Sequence, residues 1–140
     1  MLVRAAREED KAWIVGRVGC LLTPLAKGIA VEDSAGDTKA VVLWDLWTET
    51  MAVAHIAVAS PMALRVLCRE GFPWFFRHRE IMTGQVRASN TRALELNKHL
   101  GFSEVLRLKD GFAVGDDLVL LEMRRADCRW LDDSRMKEVA

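Results

Sequence analysis

The chain of 140 residues contains no tyrosine, three prolines and three cysteines, and its twenty basic and twenty acidic side chains cancel. Each shortage excludes something. Zero formal charge gives no support for a polyanion-coating role, so no nucleic-acid partner is expected. Cys20, Cys68 and Cys128 are odd in number and lack zinc-type spacing, so they read as reduced thiols rather than a disulfide or metal framework. His55, His78 and His99 are equally scattered, and no metal site is expected. The longest apolar run, Met51–Ala59, is far short of the ~20 residues of a membrane span. Residues 1–20 carry Arg4, Arg7, Glu8, Glu9, Asp10 and Lys11 where a signal peptide would be apolar, which reads as a soluble, cytoplasmic chain.

What remains is a globular composition, 51% apolar and 29% charged, of a size that buries a core without staples. Residues 1–125 read as one domain and 126–140 as a polar tail relieved by Cys128, Trp130, Leu131, Met136 and Val139. Met1–Ala5 suits an edge strand. Trp13, Ile14, Val18, Leu21 and Leu22 predict an amphipathic helix over about 10–20, ended by Pro24. Gly28–Glu32 and Lys39–Trp47 flank a turn, Asp33–Asp37, and Met51–Ala59 is a strand apolar on both faces.

Ser60-Pro61 opens a second helix, in which Gly71-Phe72-Pro73 is expected to cause a break or kink. Ile81–Arg87 is a strand and Asn90–Leu100 a helix closed by Gly101. Glu104–Lys109 and Asp117–Met123 complete an antiparallel pair. The order β-α-β-β-β-α-β-α-β-β implies an α/β (α+β) fold with a mixed sheet, because the helix between Met51–Ala59 and Ile81–Arg87 requires a parallel crossover. Trp44 and Trp47, three apart, fall on opposite faces if one strand carries both.

Gln85-Val86-Arg87-Ala88-Ser89-Asn90, followed by Ala93-Leu94 and Leu100-Gly101-Phe102, resembles the strand–helix segment of GNAT-type N-acetyltransferases. It is most similar to the ribosomal-protein alanine N-acetyltransferases. Val3–Asp10 and His55-Ile56-Ala57-Val58 are similar to that family's first strand and central strand. The resemblance implies a GNAT-like sheet whose two parallel strands splay, acetyl-CoA as cofactor, and a primary-amine acceptor, protein or peptide, in a chain that can form homodimers. It also implies that the cofactor's pantetheine arm pairs with backbone around Ala57, Val58 and Ala59. Its diphosphate would meet the helix start at Ser60, Met62 and Ala63, with Asn90 and Ala93 beside the arm.

Three positions depart from the pattern. Ala59–Arg65 holds no glycine where the family has a glycine-bearing diphosphate loop, and Val58 to Val86 spans 28 positions, short for a loop plus a full helix. Arg65 or Arg69 are candidates to supply charge there. Gln85 stands where relatives place a glutamate base, and an amide accepts no proton near pH 7. Asn97 stands where a tyrosine protonates the leaving thiolate. His55, or Glu49 in the preceding turn, is the candidate replacement base. Three readings follow: a reduced acetyltransferase, a GNAT-fold binding or structural module of the compact kind seen in phage-encoded, sometimes virion-associated proteins, and an unrelated α/β domain.

Overall fold

The computed structural model describes residues 1–131; the positions of Met136 and Val139 lie outside the described residues. The strands are β1 (Leu2–Ala5), β2 (Lys27–Glu32), β3 (Thr38–Asp45), β4 (Met51–Val58), β5 (Ile81–Arg87), β6 (Ser103–Ala113) and β7 (Asp116–Arg124). The helices are α1 (Glu8–Val18), α2 (Pro61–His78) and α3 (Thr91–Leu100). The strands form one mixed sheet in the order β1-β2-β3-β4-β5-β7-β6. Every neighbouring pair is antiparallel except β4 and β5, which run parallel. The predicted element order is the observed one.

Alternation along the strands divides the sheet into two faces. On one, Val42, Trp44, Ala52, Met82, Val119, Leu121 and Met123 pack with Leu67, Phe72 and Phe76 of α2 and Leu94 and Leu100 of α3. On the other, Val41, Leu43 and Ala57 pack with Ile14 of α1. The α1 face is smaller because one helix covers it, the stretch between β1 and β2 having room for no second.

Several local expectations give way to the structure. The first helix ends at Gly19, whose φ of 69° and N–H bonded to the Val15 carbonyl make a left-handed stop, so Pro24 is not its terminator and Leu21 lies 92% exposed outside it. α2 runs unbroken through Pro73. Proline removes one backbone bond, but Phe72, Pro73, Phe75 and Phe76 are all buried and their packing holds the helix together. Trp44 and Trp47 do not diverge: β3 stops at Asp45, Leu46 takes φ 51°, and both indoles lie by Phe75, with ring centroids 5.2 and 6.1 Å away. β6 also continues past Asp110-Gly111 to Ala113, with its ladder to β7 shifted between Leu108 and Ala113. Beyond β7, Cys128 is buried, and Trp130 meets Phe72 edge-on and donates its Nε1–H to the Leu100 carbonyl at 3.0 Å.

Gly28 is required by a close approach. A Cβ there would overlap the Val42 carbonyl oxygen on β3, which is backbone and has no rotamer to yield. Gly28→Ala is expected to cost about 3 kcal/mol by overpacking, seen as a lowered denaturant midpoint at unchanged m-value.

Candidate functional site

The parallel pair is joined at its start only. Met51–Ile81, Ala52–Met82 and Val53–Thr83 are in register, and the ladder then ends although β4 continues to Val58 and β5 to Arg87. From Ala54 onward β4 pairs only with β3, and from Gly84 onward β5 pairs only with β7. A wedge therefore opens between them, with one row of backbone polar groups on each bank that no strand pairs.

Antiparallel alternation identifies the β4 groups that face it. The Ala59 N–H donates to the Lys39 carbonyl at 2.7 Å, so odd positions of β4 turn their polar groups to β3 and Ala54, Ile56 and Val58 turn theirs to the wedge. Ala57 and Ala59, singled out with Val58 from the sequence, thus present backbone polar groups to β3. The sequence does not distinguish Ile56 from Ala57 in this respect, because a strand's hydrogen-bonding parity is set by its neighbour's register. The Val58 carbonyl accepts from the Arg17 guanidinium of α1 at 3.3 Å, and nothing in the sequence pairs residue 17 with residue 58.

The opposite bank has space. Gly84 is buried, yet a Cβ built on it would have no atom within 4 Å. A row of donors and acceptors without strand partners, beside open space at Gly84, fits a slender amide-bearing arm such as pantetheine, which pairs as an added strand would.

The diphosphate end fits less well. β4 and α2 are separated by Ala59 and Ser60 alone, so the helix is full length at 18 residues and the loop is the part that is missing. Pro61 has no N–H, the Ala63 N–H is held by Ser60 Oγ at 3.1 Å, and the Leu64 N–H by the Ser60 carbonyl at 3.1 Å. Among the described residues, the Ser60 and Met62 N–H groups are left without a partner in that turn. At the next helix Asn90 Oδ1 caps Ala93 N–H at 3.1 Å in the same way.

The candidate proton-transfer residues separate into two groups. On the α1 face, the first residues beyond the Val53–Thr83 pair are His55 on β4 and Gln85 on β5, so the two stand on facing banks of the wedge. Gln85 is exposed and His55 half-buried. Burial pulls the imidazole below its ordinary range, opposed by the charge of Asp45, and its neutral form prevails at pH 7. Asp45 is itself buried, which raises its pKa, but the Thr23 hydroxyl and N–H at 2.6 and 2.7 Å outweigh that and keep it ionised. Asn97 lies on α3 with its amide donated to the Ala93 carbonyl at 2.7 Å. Glu49 lies in the turn before β4, at the end where the parallel strands are joined, away from the wedge.

The thiols take no part. Burial raises all three, Cys68 to about 12. Among the described residues no His, Cys, Asp and Glu cluster could hold a metal, and no helix is long and apolar enough to cross a membrane. Two open hollows, sharing Ala5, Gly28 and Trp74, lie by β1, β2 and α2 and contain none of these groups.

A seven-stranded mixed sheet with a single splayed parallel pair, a helix leading from its first strand and another following its second, is the GNAT N-acetyltransferase fold. Solved structures bear this out. A point mutant of spermidine N-acetyltransferase SpeG from Vibrio cholerae superposes with a TM-score of 0.72 at 16% identity, over 96% of this chain and 99% of that one. The ribosomal-protein-alanine N-acetyltransferase of Brucella melitensis gives 0.65 at 16% identity, over 89% and 99%. At such identities the likeness is one of fold. No protein-family model and no curated protein matches the sequence.

Proposed function

We propose that this chain is an acetyl-CoA-dependent N-acetyltransferase of the GNAT type that modifies a primary amine, protein- or peptide-borne, through a reduced site. The observation that carries the reading is the wedge itself, with both Ile56 backbone groups and the Val58 N–H unpaired on one bank and clear space at Gly84 on the other. Bound acetyl-CoA would supply an activated thioester. The amine nitrogen forms the new C–N bond as the C–S bond breaks, and the amine's proton passes to the neutral imidazole of His55. Gln85 orients by hydrogen bonding without taking a proton. Asn97 cannot replace a phenolic acid, so the thiolate takes its proton from water. Alignment alone supplies much of the rate, with effective molarities of ~10⁵–10⁸ M.

Saturation with acetyl-CoA at ~100 times its Kd would raise the folded state's stability by ~2.7 kcal/mol, a shift of several degrees in Tm. No shift at millimolar acetyl-CoA or desulfo-CoA would remove the enzymatic reading. The alternative, a GNAT-fold binding module without catalysis, has Gln85 and Asn97 in its favour, since neither transfers a proton near pH 7. It predicts a shift with ligand but no acetylated product by mass spectrometry.

The acceptor's own pKa matters when the site is weak in proton transfer. At pH 7 an α-amine near ~7.7–8.0 is roughly a tenth to a fifth neutral, and a lysine near ~10.4 well under a thousandth. Peptides bearing a free α-amine are therefore expected to react at least tenfold faster than N-blocked lysine peptides; equal rates would contradict this. For His55 acting as base, the rate should fall as pH drops through a value below the ordinary imidazole pKa of 6.5. His55→Gln should lower kcat by about 10²-fold and abolish that acid limb.

A further inference from the structure

We infer that the wedge recognises its donor through the pantetheine arm alone, so that the ligand class is an acylated pantetheine thioester and the diphosphate adds little to binding. The inference rests on the proposed transferase reading and deepens it. A helix start grips a phosphate with several free backbone N–H groups in a row. Here that row is interrupted. Pro61 has none to give, Ala63 is closed by Ser60 Oγ and Leu64 by the Ser60 carbonyl, so the N–H groups left open, those of Ser60 and Met62, are separated by the proline. Ser60 is extended at φ −150° and ψ 138°, and the run Ala59–Arg65 contains no glycine to curve the backbone into a concave nest.

Side chains do not compensate. Arg65 and Arg69 are exposed on α2, the first more than a turn past Pro61. Arg17 is exposed as well and is turned to the Val58 carbonyl. An exposed, mobile ion pair in water is worth less than about tenfold in binding. The arm's half of the slot is in contrast largely intact: the Ala54 carbonyl, both Ile56 groups and the Val58 N–H face the gap without a strand partner, and there is open space at Gly84.

Isothermal titration of the full chain with acetyl-CoA and with acetyl-pantetheine separates the possibilities. Both are expected to bind, with Kd values within tenfold of each other. Acetyl-CoA binding more than tenfold tighter would overturn the inference and leave the transferase reading standing. Binding of neither would remove both. Ser60→Ala provides a second readout, since it releases the Ala63 N–H. The preference for acetyl-CoA over acetyl-pantetheine should then hold or rise. A fall would mean that Ser60 Oγ itself grips the diphosphate, and the inference would be lost.

Discussion

Arg4→Ala is expected to lower the melting temperature by about 10–15 °C, the largest loss of stability that a single surface-proximal substitution should cause here. Arg4 lies at the hinge of β1 and α1 and bonds Asp10 through both terminal nitrogens, at 2.6 and 3.1 Å, while its Nε bonds Glu32 at 2.8 Å. Asp10 is fully buried, and it also accepts the Arg7 N–H at 2.8 Å and the Thr38 hydroxyl at 3.0 Å. Removing the guanidinium strands a buried carboxylate, a loss of about 3–5 kcal/mol. Arg4→Met with Asp10→Leu should recover only part of it, because it removes the unpaired buried carboxylate but leaves the Arg7 N–H and the Thr38 hydroxyl without their acceptor. Calorimetry of the single and double variants checks both expectations.

The same network sets an acid limit. Burial alone would raise the Asp10 pKa, but the bonds from Arg4, Arg7 N–H and Thr38 outweigh it and hold the folded-state value below 3.8. The stabilisation is therefore present in full above the unfolded pKa and is lost as pH falls through the depressed folded value. In Arg4→Ala, acid unfolding should begin at higher pH than in the parent.

The second large effect concerns the wedge. Gly84→Leu is expected to abolish the acetyl-CoA thermal shift, because its side chain would occupy the space beside β5 that is empty at Gly84. Gly84→Ala should fold at least as well as the parent, since an interior strand glycine costs roughly 0.5–1 kcal/mol relative to alanine and no atom stands in the way. Retention of the full shift by a folded Gly84→Leu protein would place the donor somewhere other than this gap.

Local chemistry made much of the architecture legible. Ser60-Pro61 and Asn90 predict helix starts, and Ser60 Oγ and Asn90 Oδ1 do cap them. Periodicity located all seven strands and the parallel crossover. Misreadings arose where a non-local partner overrode a local preference: Pro73 is held in a helix by the burial of its aromatic neighbours, and Trp47 is turned toward Phe75 by the left-handed Leu46. Of the candidate site, His55, Gln85 and Val58 are legible as residue types in a pattern. Ile56, Gly84 and Arg17 are not, because an unpaired carbonyl, an empty volume and a contact across 41 positions leave no trace in composition or spacing.

From the sequence alone came the order of elements and the absence of the usual carboxylate, phenol and glycine loop, because these depend on which side chains are present and how they alternate. The tertiary structure decided that the parallel strands part after Val53 and Thr83, that His55 and Gln85 come to stand on facing banks, and that Ser60 Oγ takes the Ala63 N–H at the start of the helix. Those are relations between segments distant along the chain or between directions of backbone groups, and only packing fixes them.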